Sequence, residues 1–153
     1  MKYTEEKRDL FSLQKDYLLV HCISSDFALG AGIAKRFAAL GVKELLRAGK
    51  AKGSVHRAYY FDGKGYCMIT ESNSGWRVAN LVTKSRYYHK PTYETMTDAL
   101  HDLKNHLADF PEVKKLGMPL IGCGLDKLEW TKVREIIAEQ FDNTDYEITV
   151  CIL

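Results

Sequence analysis

Residues 17–23, Tyr17-Leu18-Leu19-Val20-His21-Cys22-Ile23, form a short and nearly unbroken apolar run between Asp16 and Ser24-Ser25-Asp26. A strand covered on both faces reads this way, because neither face has to alternate with polar residues. Leu116 to Ile121 is a second such run, and Tyr146 to Leu153 closes the chain as a third strand. Between them the pattern turns helical. Ile33 to Leu40 and Val42 to Ala48 each end at a glycine, Gly41 and Gly49, the residue that most readily stops a helix. Pro91-Thr92 starts a longer helix whose apolar residues Tyr93, Met96, Leu100, Leu103 and Leu107 recur at three and four, with Pro111 just beyond its end. Trp130, Val133, Ile137 and Phe141 mark one face of another.

Val55 to Phe61 and Tyr66 to Thr70 are rich in aromatic and β-branched residues, and Asp62-Gly63 between them is a turn signal. A second turn, Asn73-Ser74-Gly75, leads into Arg77 to Thr83, so an antiparallel meander of three strands is expected. Strands alternating with helices, plus one meander, imply an α/β fold: a mixed sheet between helices in a three-layer α/β/α sandwich. No repeat, low-complexity stretch or linker divides residues 1–153, which read as a single domain.

The composition agrees, with 46% hydrophobic and 27% charged residues in a chain of 153. A formal charge of +2 neither suggests nor excludes a nucleic-acid partner. Cys22, Cys67, Cys123 and Cys151 form no C-x-x-C pair, so neither a zinc site nor a disulfide framework is expected. No apolar stretch could span a bilayer, and a reducing, cytoplasm-like (or nuclear) compartment and a monomer are the expectation.

Two segments share one device, a strand running into a glycine-containing turn and then a helix: residues 24–34, with Gly30-Ala31-Gly32-Ile33-Ala34, and residues 119–126, with Gly122-Cys123-Gly124-Leu125-Asp126. Glycine lets backbone approach a ligand, and free N–H groups at a helix start favour an anion such as phosphate, so two facing loops could clamp a diphosphate. Taken singly, either loop could equally be a tight turn. Lys84, at the end of an apolar strand, could be a nucleophilic amine, or one of many surface lysines. The cluster Arg86, His89 and Lys90 with Tyr87 and Tyr88 is either a solvated loop or a stacking surface. Cys123, between two glycines, has a setting that suits either a reactive thiol or simply a small side chain.

Together these segments resemble the macrodomain family of ADP-ribose binders, in its terminal ADP-ribose protein glycohydrolase branch. The resemblance is carried by Arg8-Asp9-Leu10-Phe11, by His21-Cys22-Ile23-Ser24 followed by Leu29-Gly30-Ala31-Gly32-Ile33-Ala34, and by Thr83-Lys84 with His89-Lys90-Pro91-Thr92-Tyr93-Glu94. It is completed by Pro119 with Ile121-Gly122-Cys123-Gly124-Leu125-Asp126. It spans nearly the whole chain.

The resemblance implies a roughly six-stranded sheet with ADP-ribose across its crest and no cofactor or metal. Asp9, with Leu10 beside it, would meet the adenine amino group, and Ser24 would lie by the distal ribose. Gly30 to Ala34, and Pro119 with Ile121 to Leu125, would cradle the diphosphate. Lys84 and Asp126 would be catalytic, Lys84 as nucleophile at C1″ and Asp126 in proton transfer. The implied activity is removal of ADP-ribose from ester-linked protein sites, O-acetyl-ADP-ribose or ADP-ribosylated DNA bases; a non-catalytic ADP-ribose reader is the alternative. The chain departs from the family pattern at Arg8, where a glycine is common, at Leu120, where an arginine is frequent, and in residues 71–77, which look like an insertion. It also lacks a C-terminal tyrosine to stack on adenine, and the triple-glycine loop of the commoner hydrolase macrodomains.

Overall fold

The computed structural model describes residues 1–153. Seven strands form one sheet in the order β1-β7-β6-β2-β5-β4-β3. They are β1 (Lys2–Lys7), β2 (Tyr17–Ser24), β3 (Lys52–Gly53), β4 (Tyr66–Glu71), β5 (Arg77–Lys84), β6 (Lys115–Met118) and β7 (Glu147–Ile152). The sheet is parallel from β1 through β5 and antiparallel at β4 and β3.

Four helices cover it: α1 (Gly32–Ala39), α2 (Val42–Arg47), α3 (Tyr93–His106) and α4 (Trp130–Phe141). On one face Leu18 and Val20 of β2 and Ala79 and Leu81 of β5 pack with α3 and α4 through Met96, Leu100, Val133 and Ile137. On the other, Leu19, Ile23, Val78 and Val82 meet Phe37, Val42 and Leu46 of α1 and α2. The central strands thus carry two cores on alternating residues, which is why β2 reads as an unbroken apolar run. His21 and Asn80 are fully buried among them. His21 Nε2 lies 2.6 Å from Asn80 Oδ1 and its ring stacks on Phe37 at 3.9 Å.

The sheet has seven strands where six were expected. The additional one, β1, is made of Lys2-Tyr3-Thr4-Glu5-Glu6-Lys7, half exposed at an edge, with no apolar run to announce it. Its parallel register against β7, Lys2 opposite Glu147, supplies the backbone bonds that make it a strand. Residues 55–61 are not a strand but a 3-10 turn, Val55–Arg57, followed by a loop. The meander's outer strand is instead the short Lys52–Gly53, because Gly53 pairs with Met68 and Ser54 then turns the chain away. Nor does β6 continue to Ile121: Pro119 lacks an N–H and ends it at Met118. No helix is long and apolar enough to cross a membrane.

Candidate functional site

The carboxyl ends of β5, β2 and β6 open on the same edge, because these three neighbours run parallel. The chain leaves β2 through α1 and α2 on one face of the sheet and leaves its neighbour β5 through α3 on the other, and the crevice outside such a reversal is where open α/β sheets take ligands.

Residues 25–31 leave β2 and enter α1. Asp26 organises this turn by accepting bonds from Ser24 Oγ, from the Ala28 N–H at 3.1 Å and from the Tyr87 N–H at 3.0 Å, tying it to the segment after β5. Burial pushes the Asp26 carboxyl up, but those donors outweigh it and hold the group below the usual carboxylate range. Phe27 and Leu29 adopt positive φ of 53° and 43° here. Both side chains are buried, and that packing holds a backbone form which non-glycine residues rarely take. Ala31 precedes α1 with no side-chain cap, so the first N–H groups of the helix, beginning at Gly32, are left for solvent or a ligand.

The second turn differs from expectation. Residues 119–129 form a loop of their own, and α4 begins only at Trp130, so the loop's N–H groups are not those of a helix start. Leu128 N–H bonds to Gly122 O at 2.8 Å and Lys127 N–H to Gly124 O at 3.1 Å, folding the loop on itself. Gly122 has φ of 72°, a backbone form that calls for glycine, while a Cβ there would crowd only the flexible side-chain ends of Met96 and Leu128. The two loops face each other: a Cβ on Gly32 would lie 3.8 Å from Leu125 Cδ1. Leu125 itself is exposed.

Between the loops stands an ion pair. Lys84 Nζ donates to Asp126 Oδ1 at 2.6 Å, with the two side chains only 12% and 14% exposed. Lys84 is aimed by an irregularity, because the β2–β5 register steps from Ile23 opposite Val82 to Ser24 opposite Lys84. The extra residue, Thr83, makes a bulge, a device that re-aims side chains at sheet rims. Ser24 is therefore beside Lys84, buried at the floor of the crevice.

Asp9 follows the carboxyl end of β1, at the same edge of the parallel part of the sheet. It starts a 3-10 turn, Leu10–Ser12, accepting from the Phe11 N–H, and its carboxylate is gripped by Arg36 of α1. Arg36 first, and the Phe11 N–H second, hold the Asp9 carboxyl below its ordinary range. Leu10 is buried in the core beneath α1. Pro119 and Ile121 begin the second loop, where Ile121 is buried against the β-sheet core.

Cys123 does not have the character of a reactive thiol: burial, and then the Asp126 carboxylate, push it up to about 11. Burial and Asp126 likewise raise Cys22, which lies under the ion pair. No three His, Cys, Asp or Glu side chains converge in a way that could hold a metal ion.

Three side chains that shape the site were not singled out from sequence as doing so. Asp26 joins the first loop to residue 87, Arg36 holds Asp9, and Lys90 donates to Leu125 O at 2.6 Å. Asp26 and Lys90 lie within quoted segments, but only folding shows their partners. Arg36, one turn into α1, carries no signal in the pattern.

No family model matches the chain. The ADP-ribose glycohydrolase OARD1 of Bos taurus is 41% identical over 156 residues, covering 99% of this chain and 92% of the relative. The OARD1 of Homo sapiens is 40% identical with the same coverage, 99% and 92%. Among solved structures the macrodomain of Thermus aquaticus DarG matches with a TM-score of 0.77 at 19% identity, covering 97% of both chains. Thermosipho africanus DarTG in complex with ADP-ribose matches at 0.76 and 16% identity, over 99% of this chain and 42% of that one. Those two likenesses speak for the fold, and the OARD1 relatives, matched end to end, for descent. With a seven-stranded mixed sheet between helices, two facing glycine loops and this identity, the chain belongs to the macrodomain family, in the terminal ADP-ribose glycohydrolase branch typified by OARD1.

Proposed function

We propose that this chain is an ADP-ribose glycohydrolase that releases ADP-ribose from ester linkages to acidic side chains, with Lys84 as nucleophile and Asp126 as its proton-transfer partner. The observation that carries the reading is the 2.6 Å contact between Lys84 Nζ and Asp126 Oδ1, withdrawn from solvent between two loops suited to a diphosphate. The OARD1 relatives, named as ADP-ribose glycohydrolases, support it.

In this reading the free N–H groups at the start of α1 and the 121–125 loop hold the diphosphate, and Ser24 lies by the distal ribose. Asp126 takes a proton from the Lys84 ammonium, and the freed amine forms a bond to C1″. The C1″–O bond breaks, its electron pair leaving with the carboxylate of the modified side chain. Water then adds at C1″ with proton transfer through Asp126, the bond to Lys84 breaks, and ADP-ribose departs with the amine regenerated. Anchoring the diphosphate brings C1″ to the amine without a further entropic cost at the moment of reaction.

The test offers the protein glutamate-linked, serine-linked and thymidine-linked ADP-ribose and follows release. Release from the glutamate ester is expected. Binding of ADP-ribose with cleavage of none of the three would overturn the reading and leave a non-catalytic reader in its place.

A further inference from the structure

Asp126 could not stand 2.6 Å from Lys84 unless its own loop were held, and that loop is held at both ends by different means. The Gly122 end is secured from within, by Leu128 N–H to Gly122 O at 2.8 Å and by Cys123 N–H to Leu120 O at 3.1 Å. The Asp126 end has its own internal tie, Lys127 N–H to Gly124 O, and Leu128 beyond it packs against the core; apart from the Lys84 contact itself, the side-chain hydrogen bond that reaches this point from outside the loop is that of Lys90. Lys90 Nζ reaches across from the segment between β5 and α3 and donates to the carbonyl of Leu125, the residue before Asp126, at 2.6 Å. The neighbouring turn of α3 adds a weaker hold farther along, where Tyr93 Oη accepts from the Glu129 N–H at 3.0 Å.

The backbone leading to Lys90 is itself fixed. His89 N–H bonds to Arg86 O at 3.0 Å, and Arg86 N–H reaches back to His89 Nδ1. Pro91 then fixes the chain's direction, and Thr92 caps α3 with a reciprocal bond to Thr95. Lys84 leaves the end of β5 only a few residues before Lys90. One short segment therefore bears both the amine and the strap that holds the amine's partner. A charged donor on a carbonyl makes one of the stronger hydrogen bonds. Leu125, by contrast, is exposed and contributes little packing to hold the loop.

We propose that Lys90 is a positioning residue: its bond to the Leu125 carbonyl sets the Asp126 carboxylate against Lys84. This rests on the glycohydrolase reading for its effect on turnover, but not for its effect on geometry. Lys90 touches neither member of the pair and acts through the backbone of the loop.

The experiment compares the parent protein with Lys90→Met and Lys90→Arg by single-turnover release of ester-linked ADP-ribose, by calorimetric affinity for free ADP-ribose, and by crystal structures. In Lys90→Met the rate should fall about ten-fold or more, since small misplacements of a reacting group cost that much. Affinity should fall much less than the rate, because the Gly122 end of the loop is independently secured. Lys90→Arg, which can still donate to the carbonyl, should recover most of the rate. Affinity falling in step with rate, or an arginine variant as impaired as the methionine one, would overturn the assignment, as would an unchanged rate. If the parent releases nothing, the glycohydrolase reading fails. The crystal structures then still decide this inference: the Lys84–Asp126 contact should open in Lys90→Met, and its persistence at the parental distance would refute the strap.

Discussion

Arg36 places Nη1 on Asp9 Oδ1 at 2.9 Å and Nη2 on Oδ2 at 3.0 Å, while its guanidinium lies 4.3 Å from the centre of the Phe11 ring. A bidentate fork of this kind fixes the plane of the carboxylate. Asp9 is thereby oriented by the same helix whose first turn faces the second glycine loop.

If that carboxylate accepts from the adenine amino group, Asp9→Ala should weaken ADP-ribose and leave ribose 5-phosphate nearly unaffected. A lost hydrogen bond to a charged group is worth about 1.5–3 kcal/mol, or roughly ten- to hundred-fold in affinity. Arg36→Ala should shift stability by less than about 1 kcal/mol, as expected for an exposed pair. Calorimetry with both ligands checks this, and equal losses for the two would assign Asp9 a folding role instead.

Lys84→Ala should abolish release of ester-linked ADP-ribose while ADP-ribose still binds, and Lys84→Arg should not restore it, since a guanidinium stays protonated. Asp126→Ala, incubated with substrate, should accumulate protein heavier by one ADP-ribose attached at Lys84. Intact mass spectrometry and peptide mapping read both outcomes. Parental turnover in Lys84→Ala would dismiss the covalent route.

The thiol of Cys123, raised to about 11, holds almost no thiolate at neutral pH. Cys123→Ser should therefore keep turnover within a few-fold of the parent, and Cys123 should react slowly with iodoacetamide near pH 7.5. Loss of activity comparable to that of Lys84→Ala would make the thiol a participant.

Gly65 admits no side chain, because a Cβ there would lie 2.0 Å from the carbonyl oxygen of Thr95 and 3.1 Å from the Ala99 nitrogen. Both neighbours are helix backbone and cannot move aside as a flexible side chain could. Gly65→Ala should cost about 3 kcal/mol or more in urea unfolding, in the upper range for overpacking. Gly124→Ala, with open space around its Cβ, is the control and should be close to neutral.

Burial pushes His21 down to about 4, and its bond to Asn80 only partly opposes this. With the folded value below the ordinary 6.5, stability is complete above about pH 6.5. It is lost as pH falls toward 4, because the unfolded chain takes up the proton first. The full effect is about 3 kcal/mol. Denaturant unfolding between pH 4 and pH 7 should show this slope, and His21→Gln should flatten it. An unaltered slope would place the titration elsewhere.

The order of strands and helices was written in local patterning. Unbroken apolar runs gave away β2 and β6, glycine stops ended α1 and α2, and three-and-four spacing marked α3 and α4. These signals are legible because burial on one or both faces acts on consecutive residues of one element. The motif segments likewise pointed to the family, since close backbone approach demands glycine at particular places in the chain. Edge strand β1 carries no such pattern, and its strand character comes from β7 across the sheet. Residues 55–61 have the composition of a strand, yet Ser54 opens a 3-10 turn that ends the pairing with β4 at Gly53. The partnerships of the site lie furthest from sequence: Arg36 with Asp9 is 27 positions apart, Lys90 with Leu125 35, and Lys84 with Asp126 42. Such contacts leave no period in the chain, because each depends on where two separately formed elements come to rest, and only the packed sheet decides that.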